Sequence, residues 1–396
     1  MTLPINPNMA HAFAPPVMEA RRWLDGIAFP DDRPLINVSQ AAPVDLPHAD
    51  LRAAMARMIE DDPGSHLYGP VLGLPDLRSA LAARWSSHYG GTVAPEQVAI
   101  TSGCNQAFTA IMSAIAGPGD AVLVPIPYYF NHAMWLDMAG VEMIPLPCGP
   151  GMIPDAEHAA SLLTERTKAI ILVTPNNPTG AEYPAETLTA FRDLARAHGL
   201  ALIVDETYRD FHAAPPGEAL HDLFSEDDWD DTVVGLYSFS KAYRLTGHRV
   251  GAAMASPRLL AEVEKFLDTV AICPNQLAQR ATLWGMQNLD TWLAGERQEI
   301  LTRRAAINAG FPALADRGWQ LLGAGAYFAY VAHPYDMPSD ALAPHLVRSA
   351  GVLALPGTMF MPQSHRAAGA QQMRIAFANI DSDGIAALFE RLQMPL

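Results

Sequence analysis

The sequence predicts an α/β protein: a large domain with a mostly parallel seven-stranded sheet covered by helices, plus a smaller α+β domain. Three observations predict it. Seven short apolar runs fall between residues 97 and 254, longer segments of helical period separate several of them, and the pattern changes beyond residue 272. With 396 residues, 50% of them hydrophobic, the chain can fill two cores of ordinary size. The expected division is an N-terminal arm contributing to the small domain over 1–45, the large domain over 46–285 and the small C-terminal domain over 286–396.

Taken in order, the opening "MTLPINPNMAHAFAPPVMEARRW" is too rich in proline to form a core of its own. It is expected to lie as an arm against its own C-terminal domain or against a partner subunit. The strand candidates follow as "QVAIT", "AVLVP", "VEMIPL", "KAIILVT", "LALIVD", "TVVGLYS" and "HRVGAAMA". Between them, "NQAFTAIMSAIA" and "AETLTAFRDLARAH" carry apolar residues at helical spacing, and the first is read as a helix with its stripe facing the sheet. After "PRLLAEVEKFLDTVAI" a long helical stretch runs to about residue 310. The separated strand-like pieces "YFAYVAH", "GVLALPG" and "QMRIAFA" then mark the second domain.

Charge and composition narrow the function. With 26 basic against 42 acidic residues the formal net charge is −16, which disfavours non-specific contact with nucleic acid or an anionic membrane and favours a small-molecule partner. Cys104, Cys148 and Cys273 are far apart without CxxC spacing, so neither a disulfide framework nor a zinc site is signalled. His66, His132 and His248 show no HxxxH or HxH spacing and are read as structural or pocket-shaping, so no metal is expected. No basic segment leads into an apolar one at the N-terminus and no apolar run reaches the ~18 residues of a membrane span, so a cytoplasmic protein is expected.

Ligands of open parallel sheets bind at the carboxyl ends of the strands. After "QVAIT" comes Ser102-Gly103-Cys104-Asn105, after "KAIILVT" comes "PNNPTG", after "LALIV" comes "DETY", and after "TVVGLY" comes "SFSK". One sheet edge thus collects an amine, a carboxylate, a phenol, an amide and a phosphate cradle. Those parts suit pyridoxal 5′-phosphate. Lys241 offers the amine that forms a Schiff base with the cofactor aldehyde, and Asp205 a carboxylate that keeps the ring nitrogen protonated. Asn177 and Tyr208 offer hydrogen bonds to the ring oxygen. Free N–H groups of residues 102–105 at a helix N-terminus, the Ser238 hydroxyl and the Arg249 guanidinium offer a phosphate site, with Cys104 contributing its backbone only.

"SFSKAYRLTGHRVG", "PNNPTG" and "VDETY" resemble, in order and spacing, the lysine signature, the Asn-Pro-Thr-Gly turn and the Asp-x-x-Tyr strand end of the class I/II aminotransferases. The resemblance runs from "YGPVLGLPDLR" to "MRIAFA" and implies the aspartate aminotransferase fold, known as fold type I. It implies that Lys241 carries the cofactor and moves the substrate proton, that Tyr129 stacks on the ring, and that Arg374 clamps the substrate carboxylate with two parallel bonds, as lysine cannot. It also implies a homodimer in which Tyr68 reaches the phosphate of the other subunit. Where many members carry a segment like "SIGEPD", this chain reads Ser39-Gln40-Ala41-Ala42-Pro43, which places Ala41 near the substrate and leaves substrate choice open.

Each of these residues alone has a plainer reading. Arg249 could be a surface cation, Asp205 a strand-end cap, Asn177 a turn former, Tyr129 a core aromatic and Arg374 half of a surface ion pair. Their joint occurrence decides for an aminotransferase working by a ping-pong mechanism. A β-lyase on the same fold is the alternative within the cofactor class. A non-catalytic ligand-sensing module is the alternative from another class, against which the short Pro-rich N-terminus counts. The pocket is expected to draw on Phe13 to Met18, Gln40-Ala41, Tyr129 and Tyr327-Phe328, a mixture leaning toward neutral or aromatic substrate side chains. Spacing assigns no arginine to a second substrate carboxylate.

Overall fold

The computed structural model describes residues 3–394. Thirteen strands form three sheets among these residues. The largest contains β2 (Val98–Thr101), β3 (Ala121–Ile126), β4 (Glu142–Pro147), β5 (Thr167–Val173), β6 (Ala201–Asp205), β7 (Val233–Ser238) and β8 (Gly251–Met254), in the order β2-β8-β7-β6-β5-β3-β4. These are the seven runs marked in the sequence. All neighbours are parallel except β8, which runs antiparallel to both β2 and β7.

The runs read as continuously apolar because both faces of the sheet are covered. Alternate residues divide between two cores: Ile170, Leu172, Leu202 and Val204 pack on one side, and Ala169, Ile171, Ile203 and Leu236 on the other. The helix Cys104–Ile115 lays Ala107, Phe108, Ile111 and Met112 against the second face. The helix Ala185–His198 buries Leu188, Phe191 and Ala195 against the first.

A four-stranded antiparallel sheet, β12 (Leu355–Pro356), β13 (Gln372–Ile375), β10 (Phe328–Ala332) and β9 (Gln320–Gly325), organises the C-terminal part. Its core includes Phe328, Val331, Met373 and Ile375, closed by the helices Ser339–Ala350 and Ser382–Leu392. The expected strand "GVLALPG" is divided, since β11 (Val352–Leu353) leaves this sheet to pair in parallel with β1 (Ile36–Asn37). Strands β1 and β9 carried no signal in the sequence reading. Helices Gln276–Asn288 and Asp290–Gly310 make up the long helical stretch.

The N-terminal segment forms two short helices, Pro7–His11 and Pro16–Arg22. The first lies on the helix Phe130–Ala139 of the large sheet unit and the second beside β12. An arm against the C-terminal part alone is therefore too narrow a description, because this segment also covers the large unit.

Candidate active site

Register puts the chemistry on one edge. Val173, Asp205 and Leu236 are consecutive partners across β5, β6 and β7, and Thr101 and Ser238 both pair with Gly251. Because β8 is antiparallel, its first residue sits where its neighbours end. Arg249, two positions before β8, thus arrives at the same edge as Lys241, three positions after β7. Two glycines permit the close approach of these chains. A Cβ on Gly251 would fall 2.4 Å from the Cys104 nitrogen, and one on Gly103, at φ +90°, would fall 2.2 Å from Nη2 of Arg249.

The edge opens into a cavity of about 430 Å³, lined by Lys241, Asp205, Tyr208, Asn177, Tyr129, Ser238, Cys104, Asn105, Arg249, Ala41 and Arg374, among others. This is a usual size for a small-molecule site. The helix Cys104–Ile115 points its N-terminus here, and the backbone N–H groups of Cys104 and Asn105 have no protein acceptor among the described residues. Arg249 turns across this end, donating to the Thr246 carbonyl at 3.0 Å. Ser102 and Gly103 form the turn behind it rather than the cavity wall, with the Ser102 N–H taken by Gln106 at 2.6 Å.

Lys241 sits in a single helical turn, Phe239–Ala242, capped by Ser238. Its Nζ donates to the carbonyl of Ala41. Burial, with the charges of Arg249 and Arg374, pulls this amine down to about 7. Burial would push the Asp205 carboxyl up, but His132, whose Nε2 stands 3.4 Å from Oδ2, and Thr207, which donates to Oδ1 through both N–H and hydroxyl, hold it below its ordinary value. Asp205 is therefore an anchored anion. Burial and the neighbouring Asp205 drive the Cys104 thiol well up, so it stays neutral.

Arg374, on β13, is 2% exposed. Its Nη1 donates to Oδ1 of Asn177 at 2.9 Å, its Nη2 to the Ser39 carbonyl, and its buried Nε has no partner. Burial pulls its guanidinium down to about 10, against the opposing effect of Tyr208, Tyr129 and Tyr330. The Tyr129 hydroxyl donates to Asn105 at 3.3 Å and accepts from Asn131 at 3.0 Å, and its ring meets His132 edge-on at 5.0 Å. Asn177 stands in a turn whose peptide bond to Pro178 is cis.

An unpartnered buried N–H on Arg374, a desolvated amine and a bare helix N-terminus under a guanidinium all call for acceptors from outside the chain. A model of aminotransferases of class I and II matches residues 33–392. The chain belongs to this family. The aspartate/prephenate aminotransferase of Thermus thermophilus is 32% identical over 308 residues, 76% of this chain and 78% of that protein. An aromatic aminotransferase of Arabidopsis thaliana is 30% identical over 307 residues, 75% of either chain. The aspartate aminotransferase of Thermus thermophilus solved with maleate superposes with a TM-score of 0.86 at 25% identity, over 98% of this chain and 99% of that one.

The protein is thus an aminotransferase dependent on pyridoxal 5′-phosphate, moving an amino group from an amino acid to a 2-oxo acid. The residues present fit the cofactor: a low-lying amine for its carbonyl, an anchored carboxylate for its ring nitrogen, and the Cys104 and Asn105 N–H groups with Arg249 for its phosphate. Among the described residues no helix is long and apolar enough to cross a membrane.

Tyr68, expected to serve the site of a partner subunit, is 80% exposed and lies outside this chain's own cavity. That cavity differs from the expected one in several places. Phe13 lies outside, although Pro15 to Met18 do contribute. Tyr327 and Phe328 are not among the cavity-lining residues and pack against Tyr208, the first tilted and the second edge-on, with ring centroids 5.3 and 5.1 Å away. Sequence reasoning named His132 only as structural or pocket-shaping, without its contact to Asp205, and missed Thr207 and Ser240 as site residues. The signal for Thr207 was its place two after a buried strand-end aspartate, where its N–H and hydroxyl cap the carboxylate. Arg21 was missed too, and it lines the cavity from the helix Pro16–Arg22.

Proposed function

We propose that transfer at this site is ping-pong, with Lys241 as the amine that both carries the cofactor and moves the substrate proton. The observation behind this reading is the depressed Lys241 amine, desolvated beside Arg249 and Arg374 and aimed into the cavity. Pyridoxal phosphate, when bound, supplies a carbonyl carbon that exchanges amines and a protonated ring that accepts electron density. The chain's own residues do the remainder.

Asp205, held by His132 and Thr207, would keep a proton on the ring nitrogen. Tyr208 and Asn177 would hydrogen-bond the ring oxygen, and Tyr129 would bound the ring. The Cys104 and Asn105 N–H groups, Ser238 and Arg249 would take the phosphate, where aligned peptide dipoles and a guanidinium favour an anion. Arg374 fixes the substrate α-carboxylate through N–H groups that the protein leaves free, and Asn177 fixes Arg374. With the carboxylate held, Lys241 Nζ would be placed to take the proton from the substrate Cα, to hold it as an ammonium and to give it back to the same bound substrate. A base whose ordinary value is near 10.4 could not do this at neutral pH, whereas one near 7 can both accept and release it.

Tyr68 is assigned to the phosphate of a partner subunit, so the working form is taken to be a homodimer. The support is its 80% exposure together with that of its chain neighbour Leu67, large side chains that water alone would not favour. A sedimentation profile of a single 42.7-kDa species at micromolar concentration would refute it. A cytoplasmic location accords with three unpaired cysteines, and loss of the protein from the soluble cell fraction would overturn that reading.

The decisive experiment is the visible spectrum of the purified protein, recorded with single amino acids and no 2-oxo acid. Bleaching of the cofactor band, restored by a 2-oxo acid, is expected for the wild type, and Lys241→Ala should fold yet show no turnover. Release of pyruvate and ammonia without an added 2-oxo acid would instead establish the β-lyase. A Lys241→Ala variant with near wild-type rate would end the reading.

A further inference from the structure

The stretch of chain that ends β6 serves two cavities. Asp205, Thr207 and Tyr208 line the one described above, whereas the next two residues, Arg209 and Asp210, line another of about 300 Å³. The helix Asp290–Gly310 closes this second cavity through Leu293 and Arg297, and the loop after Phe211 closes it through Pro215 and Leu220. Nothing in transamination as set out above makes use of it.

Arg209 is 6% exposed, yet among the described residues its guanidinium makes no hydrogen bond and no ion pair. Stacking holds it instead: its Cζ lies 4.2 Å from the ring centre of Trp85 and 4.7 Å from that of Tyr89. Rings cover the faces of a planar guanidinium and leave its N–H edge free for an acceptor. The carboxylates around it are engaged elsewhere. Tyr89 and His221 hold Glu206, the Tyr237 hydroxyl donates to Asp210 at 2.5 Å, and Arg84 pairs with Asp290 at 2.8 Å. Glu218 is exposed on the loop. From the opposite wall, Arg297 donates through Nε to the His212 carbonyl at 2.9 Å and through Nη2 to the Ala214 carbonyl, and its Nη1 has no partner among the described residues. Two guanidinium groups without a carboxylate therefore line one cavity, and a buried cation with no acceptor is costly unless a ligand supplies one.

We propose that this second cavity binds a small phosphate-bearing molecule, held by Arg209 and Arg297. A planar carboxylate fits the fork of a single guanidinium, whereas donors arriving from a strand-end loop and from a helix suit the several oxygens of a tetrahedral anion. Pro215, Leu220 and Leu293 give the rest of the ligand an apolar wall.

The probe is inorganic phosphate, titrated by calorimetry into the holoenzyme at constant ionic strength, so that the cofactor phosphate site is already filled. The expected result is one saturable event per chain that a saturating amino acid does not displace. Arg297→Gln should weaken it about 10- to 100-fold, the loss of one bond between charged groups, while the amino-donor half-reaction without phosphate keeps its wild-type rate. Arg209→Lys, which keeps the charge and loses the fork, should weaken binding as well; should that variant fail to fold, the half-buried Arg297 still decides the matter. Absence of saturable binding, an unchanged dissociation constant in Arg297→Gln, or displacement by the amino acid, which would put the phosphate on Arg374, would each overturn the proposal. Acetate binding as tightly as phosphate, and weakened by the same replacement, would overturn the tetrahedral anion.

Discussion

Replacement of Arg374 by lysine tests the substrate assignment most directly, because charge is retained and only donor geometry changes. A guanidinium has five N–H groups. Two are engaged, by Asn177 and by the Ser39 carbonyl, which leaves three, the buried Nε–H among them. A carboxylate can take two of those three in parallel. A lysine ammonium has three N–H groups, so if both anchors are kept a single one remains for substrate. The expected loss is one hydrogen bond between charged groups, about 1.5–3 kcal/mol, or roughly 10- to 150-fold in kcat/KM. The rate of the amino-donor half-reaction should be compared for an amino acid and for the amine lacking its carboxylate. The amino acid should lose the full factor while the amine changes little. Equal losses for both would mean that Arg374 only supports the Asn177 turn, and a loss below about three-fold for the amino acid would refute the two-bond clamp.

Asp205→Asn should keep the cofactor band but slow the half-reaction by at least about 100-fold, since a neutral amide cannot hold the ring nitrogen protonated; unchanged rates would move that role to another group. Capture of pyridoxal phosphate by cofactor-free enzyme should accelerate as pH rises through about 7 and then level off, because the neutral Lys241 amine is the reacting form. The value in the folded protein lies below the ordinary one near 10.4, so this group's contribution to stability is lowest and flat below pH 7 and rises between 7 and about 10.4. An inflection left near 10 in the capture rate would contradict the depressed value. Gly325→Ala should destabilise by about 1–3 kcal/mol by overpacking and raise KM, because its Cβ would fall 2.2 Å from the Gly180 carbonyl in the Asn177 turn; unchanged melting and KM together would sink that account.

The strands of the large sheet were legible because burial on both faces writes them as short continuous apolar runs, from "QVAIT" to "HRVGAAMA". The cavity residues Asn177, Asp205, Tyr208, Ser238 and Lys241 were legible because they end those runs or follow them directly. Strand β9, "QLLGAG", was not, and the reason is instructive. A Cβ on its Gly323 would lie 2.5 Å from the Thr179 carbonyl, so the glycines that weaken its strand signature are what let β9 press its backbone on the turn carrying Asn177. Strand β1 has two residues, Ile36 and Asn37, and exists through pairing with Val352 and Leu353, over 300 positions away. No local pattern encodes such a contact. His132 belongs with these: in the chain it is one residue of a helix, and only packing on Phe108, with ring centroids 4.0 Å apart, directs it at Asp205.

The net charge of the chain and the charge of its cavity have opposite signs. A chain at −16 should repel anions, yet its site gathers four cations around one engaged carboxylate. The two facts act over different distances. At an ionic strength of 0.1 M, exposed charges are screened beyond about 10 Å, so the acidic surface contributes little at the mouth of the cavity. Arg374 is buried and Lys241 half-buried, and burial has already lowered both. Their attraction for phosphate or carboxylate is therefore screened far less than the surface repulsion. Recognition of anions here is a property of a few desolvated groups, set by the Ser39–Ala41 segment and the strand ends that hold them, and it survives a surface of the opposite sign.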